Sequence, residues 1–165
     1  MAKKNLILTL HYSELVYDVQ NKTYLTGKSR ETGNNFESVA NMQANDDDEN
    51  MNQILRSIGN AISALKARLS EYIKVEGNLT TSNNELLEIV DDESLVLNLE
   101  MPSNYNQNTR DTIAAAAHQF IVNTAIGDWF AITNKADAAD YFTQATANIV
   151  EIREAISKRT RPERK

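Results

Sequence analysis

The stretch MNQILRSIGNAISALKARLSEY, residues 51–72, decides the fold of this chain. Its apolar side chains recur at alternating steps of four and three residues. The seam that they form consists of Met51, Leu55, Ile58, Ile62, Leu65, Leu69 and Tyr72. Such a seam is typical of an amphipathic helix that packs along another helix. We therefore predict a long helix over about residues 47–75, which Gly77 and Asn78 end.

Four consecutive acidic side chains stand before this seam: Asp46, Asp47, Asp48 and Glu49. Residues 46–49, the acidic segment, begin like a calcium-binding loop, but that loop needs a glycine at its sixth position and a glutamate at its twelfth. Met51 and Ser57 stand there instead, so we expect no metal. Carboxylates at the start of a helix interact favourably with its macrodipole. Because there are more of them than capping requires, the acidic segment is also a candidate contact surface.

Two further helices are predicted near the C-terminus, over about 109–132 and 136–158. The first carries a seam of Ile113, Ala117, Phe120, Thr124, Gly127 and Ala131. The second carries a seam of Ala138, Phe142, Ala145, Ile149, Ile152 and Ile156. The connection between them is short, so the two helices should form an antiparallel hairpin over about 109–158.

Two short apolar runs read as strands, NLILTLHY (5–12) and LVLNLEM (95–101), and they can pair in a small sheet. Between the first strand and the acidic segment, residues 13–30 favour a helix over a hairpin, and 31–45 look like a loop. In the helical interpretation Ser13 is the N-cap. The apolar face of that helix would contain Val16, Val19 and Tyr24. A capping-box spacing also predicts a short helix at 83–91.

These patterns together predict a mainly α fold, a helical bundle with a small β element. At 165 residues, the chain is long enough for one domain with a buried core. We assign this domain to 1–158 and a basic C-terminal tail to 159–165. The end of the chain is rich in cations, which are Lys158, Arg159, Arg161, Arg164 and Lys165. These residues are candidates for contact with a partner or with phosphate.

The composition excludes several functional classes. The net charge of −6 argues against a protein that binds nucleic acid over its whole surface. Because cysteine is absent, disulfides, thiolate catalysis and cysteine-based metal sites are ruled out. His11 and His118 are the only histidines, and neither stands in a recognisable catalytic or metal-binding motif. We therefore expect no enzyme, no cofactor and no membrane span, and a protein made in the cytoplasm.

The pair Trp129 and Phe130 supplies apolar bulk near the end of the first hairpin helix. The simpler interpretation is that both residues belong to the core. Trp129 is also a candidate interface anchor, because tryptophan is a common hot-spot residue.

Three stretches resemble a family of small structural proteins of tailed bacteriophages and prophages of gut Bacteroidetes. They are YDVQNKTYLTGKSR (17–30), DDENMNQILRSIGNAISALKARLSEYI (47–73) and FIVNTAIGDWFAITNKADAADYFTQATANIVEIREAISKRTRP (120–162). The hairpin sequence DWFAITNKADAADY (128–141) is the most specific part of this resemblance. It covers well over half of the chain and includes no catalytic motif.

The resemblance implies a virion component, most closely a head–tail connector or neck protein located at the portal vertex. Such a protein would form a ring, for which a dodecamer is expected, dock on the portal and other neck or tail proteins, and extend the DNA channel. The basic tail would contact a neighbouring subunit, the portal or another neck protein, or it would line the channel. The alternatives are another tail-completion or capsid-associated protein, or a small helical regulatory protein or enzyme outside the virion.

Overall fold

The structure is a computed structural model that describes residues 2–74 and 93–164. Within these residues it contains five α-helices and one two-stranded antiparallel sheet, so the predicted mainly α fold with a small β element is confirmed. The elements are β1 (Lys4–His11), α1 (Tyr12–Ser29), α2 (Phe36–Met42), α3 (Asp48–Arg68), β2 (Ser94–Met101), α4 (Arg110–Thr133) and α5 (Lys135–Ser157). A short 3₁₀ turn, Gln107–Thr109, leads into α4.

The two predicted strands pair with each other although they lie far apart in sequence. The antiparallel register sets Leu8 opposite Leu97 and Leu10 opposite Leu95. These four leucines face the helices and are buried, whereas Ile7 and Val96 on the other face are exposed. The alternation of apolar and exposed positions is what a sheet with one covered face requires.

The helix α4 lies at the centre of the core. Its predicted seam is only part of its buried surface, because Ile121, Ile126 and Phe130 outside that seam are also fully buried. It packs against α5, α3, α1 and β1. Only Asn134 separates α4 from α5, so the predicted antiparallel hairpin is confirmed. Ala131, which we assigned to this seam, is exposed, and so is Phe142, which we assigned to the seam of α5.

Most of the predicted seam of α3 is buried, whereas Met51 and Tyr72 at its two ends are only partly buried. The helix ends at Arg68, well before residue 75. The residues that follow pair with the free edge of β2. The backbone N–H of Glu100 donates to Tyr72 O at 2.7 Å, and the N–H of Lys74 donates to Asn98 O at 2.9 Å. Residues that helical periodicity assigned to the end of α3 therefore pair with β2 instead. The predicted end at Gly77–Asn78 and the predicted helix at 83–91 lie outside the described residues.

Residues 13–30 are helical, which excludes the hairpin alternative. The N-cap is His11 and not Ser13, because β1 runs directly into α1 and the N–H of Tyr12 still donates to Glu93 O at 3.2 Å. The buried face contains Leu15, Val19 and Thr23. Tyr24, which we assigned to the apolar face, is 41% exposed.

The predicted loop at 31–45 contains the short helix α2, so that part of the prediction is wrong. Its seven residues bury no side chain completely, which explains why no apolar period marked the helix. Because Gly27 of α1 has no side chain, α2 packs closely against α1 at this point. An added Cβ at Gly27 would lie 3.1 Å from Val39 O. Within the described residues, no helix combines the length and the hydrophobicity that crossing a membrane requires.

Candidate interaction surfaces

The acidic segment lies where α3 begins and beside α1. Asp47 occupies the N-cap position, and Asp48 and Glu49 stand in the first turn. All four side chains are exposed, and the carboxylate of Asp46 accepts a hydrogen bond from Gln20 Nε2 at 2.7 Å. The side chain of Asp47 makes no capping hydrogen bond. The segment is therefore a solvent-facing acidic surface, fixed to α1 at one point.

The macrodipole of α3 accounts for part of this charge. Acidic residues stand in its first turn, and Lys66 and Arg68 stand in its last turn. Each exposed charge in such a position contributes roughly 0.3–1 kcal/mol. The dipole favours acidic residues at the start of α3 and basic residues at its end. The four carboxylates at the start outnumber the two cations at the end, so the dipole does not account for all of them.

The basic tail is held at its base. The backbone of Arg159 forms an antiparallel bridge with Tyr105, and the N–H of Thr160 donates to Asn104 O at 2.8 Å. The guanidinium of Arg159 donates to Ile156 O at 2.7 Å, so it interacts with the carbonyl end of α5. Arg159 is thus engaged within its own chain.

The other cations near the end of the chain extend into solvent. Lys158, Arg161 and Arg164 are exposed, and in the described part of the chain no hydrogen bond or ion pair engages the side chains of Arg161 and Arg164. Lys165 lies outside the described residues. Four ion pairs join other described residues, and none of them links the tail to the acidic segment. The two surfaces do not neutralise each other within one chain.

Trp129 is 6% exposed, and its indole N–H donates to Met42 O at 2.8 Å. The ring therefore belongs to the core and fastens the end of α2 to α4. Little of its surface is available to a partner, so the structure assigns it the simpler of its two predicted roles.

Sequence analysis missed a polar connection between α1 and α4. His118 Nε2 lies 2.6 Å from Asp18 Oδ2, and the two residues are a hundred positions apart. One turn along α1, the ammonium of Lys22 donates to Gln119 Oε1 at 2.8 Å. Burial lowers the pKa of Lys22, and the nearby charge of Asp18 opposes that shift. No local pattern could reveal these pairs, because only the packing of α1 on α4 brings them together.

The His118–Asp18 pair borders a cleft of about 490 Å³ that is also lined by Ser13, Glu14 and Tyr17. A carboxylate that orients an imidazole is one part of a nucleophilic triad. The third part is missing here, because no hydrogen bond joins Ser13 to His118 among the described residues. No group of three His, Asp or Glu side chains in residues 2–74 and 93–164 is placed to hold a metal ion. The arrangement is a hydrogen-bonded His–Asp pair beside an open cleft.

A second charged cluster ties α1 to the connection between α4 and α5. The guanidinium of Arg30 donates to both carboxylate oxygens of Asp137, and Asn134 Nδ2 donates to the same carboxylate. The hydrogen bonds from Arg30 lower the pKa of Asp137, although burial of this carboxyl acts in the opposite direction. Burial raises the pKa of Asp128 in the same hairpin. The cluster fixes the end of the hairpin in place.

The candidate surfaces are thus suited to binding a partner by charge. The acidic segment, Lys158 and the tail cations Arg161 and Arg164 are exposed, Arg159 is partly engaged, and Trp129 is buried. Comparison of the chain with protein-family models, with curated proteins and with solved structures gives no match.

Proposed function

We propose that the protein is a structural component of a phage virion, a head–tail connector or neck protein that docks on the portal as a ring and extends the DNA channel. The resemblance of the helical hairpin and of α3 to small virion proteins supports this function. The observation that carries the proposal is the separation of charge on the surface. Exposed carboxylates stand at the start of α3, and free guanidinium groups stand beyond the end of α5.

A ring needs heterologous contacts, in which one face of each subunit meets a different face of its neighbour. Opposite charges on two separate surfaces of one chain suit such contacts, because they steer the encounter and fix its register. The base of the tail is held by residues 104–106, so Arg161 and Arg164 start from a defined place. We infer that the tail reaches a neighbouring copy, the portal or another neck protein.

The proposal includes no enzymatic activity and no cofactor. A net charge of −6 fits a conduit through which DNA slides, because a strongly basic channel would hold the phosphate backbone. The expected partners are further copies of the chain, the portal, and other neck or tail proteins. The ring size to test first is a dodecamer.

Assembly on the portal tests this function. The chain is mixed with the purified portal of the same phage, and native mass spectrometry measures how many copies bind. We expect a complex with a fixed number of copies for the full chain. A chain that ends at Thr160 lacks three cations and one carboxylate, a net loss of two positive charges, and it should bind with fewer copies or not at all.

The matched control removes the same net charge elsewhere. Lys66→Ser with Arg68→Ser takes two exposed cations from the end of α3 and should leave assembly unchanged. Absence of any complex between the full chain and the portal would overturn the connector function. Unchanged ring formation by the shortened chain would overturn the role of the tail.

The alternative of another class is a small helical enzyme or regulatory protein, and the cleft beside His118 and Asp18 favours it. The alternative within the virion is a tail-completion protein. Separation of DNA-filled, tailless heads from complete particles distinguishes the two virion roles, because a connector remains with the heads and a tail part does not.

A further inference from the structure

We propose that the outer face of α1 is the docking surface for the basic tail of a second copy of the chain. The outer face consists of Glu14, Tyr17, Asn21 and Tyr24, all exposed. The inference rests on the head-to-tail contact of the proposed function and names the surface that receives the tail. The acidic segment borders this surface and is not its centre.

The outer face arises from the spacing of α1. Its residues recur at steps of three, four and three, so they lie along one side of the helix. Leu15, Val19 and Thr23 form the opposite, fully buried side. Tyr17 is 64% exposed and Tyr24 is 41% exposed. The helix therefore presents two large aromatic side chains that the core of this chain does not use.

Two clefts meet at Tyr17. The first is the cleft of about 490 Å³ beside His118 and Asp18. The second has a volume of about 250 Å³ and is lined by Tyr17, Gln20, Asn21, Tyr24 and Gln43. Because Tyr17 lines both, the two clefts are neighbours on the surface along α1.

Carboxylates line the first cleft, and one carboxylate is bonded to the wall of the second. Glu14 and Asp18 line the first, and Asp46 bonds to Gln20 in the wall of the second. The structure engages Oδ2 of Asp18 and Oδ1 of Asp46, and each carboxylate has two acceptor oxygens. A surface with exposed tyrosines and nearby carboxylates favours a cationic occupant and disfavours an acidic one.

Guanidinium is the cation that fits best. It can stack on a tyrosine ring and at the same time donate hydrogen bonds to a carboxylate, which an ammonium does less well. The outer face offers both partners within one helical turn, through Tyr17 and Glu14, and Asp18 lines the adjoining cleft. Arginine side chains on an extended segment are therefore the expected ligand.

The tail has the spacing that the outer face requires. Tyr17 and Tyr24 are seven residues apart on a helix, which corresponds to about 10.5 Å along α1. Arg161 and Arg164 are three residues apart, which in a polyproline II segment is one full turn of about 9 Å, so that both side chains lie on the same side. Pro162 keeps Arg161 extended, because a residue before proline disfavours the helical conformation. Two arginines can thus meet two tyrosines in register.

The occupant belongs to a second copy, because among the described residues of one chain no hydrogen bond or ion pair joins the tail to the outer face. The tail base is bound to Asn104 and Tyr105, and the side chains of Arg161 and Arg164 make no ion pair in the described part of the chain. Each copy carries one tail and one outer face. A contact between them is heterologous and leaves both surfaces free at the ends of any open assembly.

Cysteine cross-linking tests the docking directly, because the natural chain contains no cysteine. One preparation carries Asn21→Cys between the two tyrosines, and the other carries Glu163→Cys between the two arginines. The two full-length chains are mixed and oxidised at low and at high salt, alone and with the portal. A control preparation carries Ser63→Cys, which is exposed on α3 away from the outer face.

We expect a disulfide-linked pair between the Asn21→Cys and Glu163→Cys chains, with a yield several-fold above that of the Ser63→Cys control. High salt should lower the yield, because it screens exposed charges. Adding Tyr17→Ala with Tyr24→Ala to the first chain, or Arg161→Ala with Arg164→Ala to the second, should reduce it to the control level. Circular dichroism confirms that each variant is folded.

Equal yields for the Asn21→Cys and Ser63→Cys chains, in free protein and in portal complexes, would overturn the docking surface. If rings still form on the portal in that case, the proposed function stands and only the inference fails. A cross-link from Glu163→Cys to the portal alone would also overturn it, since the tail would then have another receptor. A cross-link between copies without portal binding would support the docking surface and contradict the connector function.

Discussion

The helices α4 and α1 use their apolar residues in opposite ways. In α4 the buried residues surround most of the helix, and Ile113, Ile121 and Ile126 on different sides are all fully buried. In α1 a single side is buried and two tyrosines face solvent. A helix that is apolar on all sides builds a core, whereas exposed aromatic residues beside a buried seam mark a surface available for another role. We therefore expect changes in α4 to alter stability and changes on the outer face of α1 to alter association.

The largest expected effect is at Trp129 in α4. Trp129→Ala should lower the free energy of unfolding by about 3–5 kcal/mol, because it removes a buried ring. It also removes the hydrogen bond to Met42 O. Chemical denaturation measures the loss. The matched control is Ile132→Ala on the same helix, which is 65% exposed and should change stability by less than about 0.5 kcal/mol. A small effect at Trp129 would show that α4 is not the centre of the core.

The next effect concerns the contact between α4 and α5. A Cβ at position 127 would lie 2.8 Å from the ring of Phe142, so Gly127→Ala must displace that ring. We expect a loss of about 1–3 kcal/mol, reduced by the better helix propensity of alanine. In a Phe142→Ala background only the propensity gain remains, so the same change should become neutral or stabilising. Equal costs in both backgrounds, measured by thermal unfolding, would refute the close contact.

The ion pair between Arg30, at the end of α1, and Asp137, in the first turn of α5, should make the free energy of unfolding depend on pH. The folded-state pKa of Asp137 lies below the unfolded value of about 3.9. Its ionised form therefore stabilises the fold above about pH 4, and that contribution disappears as the pH falls through the folded-state pKa. Asp137→Asn should flatten the acid side of the stability profile. Glu151→Gln, an exposed carboxylate on α5, is the control, and parallel profiles for Asp137→Asn and the natural chain would contradict this assignment.

The smallest effect on stability is expected on the outer face of α1. Tyr17→Ala should change the free energy of unfolding by less than about 0.5 kcal/mol, because Tyr17 is 64% exposed. Tyr24→Ala should cost no more than about 1 kcal/mol, because Tyr24 is 41% exposed. A loss comparable with that of Trp129→Ala would show that α1 contributes to the core on both sides, and the contrast with α4 would fail.

Periodicity predicted the elements that have a clear apolar side. The seam of α3, the seam of α5 and the alternating strands follow from the burial of one face or stripe. Periodicity did not predict the features that depend on other interactions. The end of α3 depends on pairing with β2, and α2 buries no side chain completely and so shows no seam. Because Tyr24 is apolar enough to resemble a core residue, its exposure could be seen only in the folded structure.

For the same reason, only part of the candidate surfaces could be predicted from the sequence. Runs of charge are visible in sequence, so the acidic segment and the tail were identified there. The engagement of Arg159 and the His118–Asp18 pair depend on contacts between distant segments. No spacing in the chain encodes such contacts.

Quantitative mass spectrometry of purified phage particles tests the central claim most directly. It measures the amount of this chain relative to the portal in complete particles and in DNA-filled, tailless heads. The account predicts that the chain is present in both fractions at one constant ratio to the portal. Particles that contain the portal and lack this chain would contradict it.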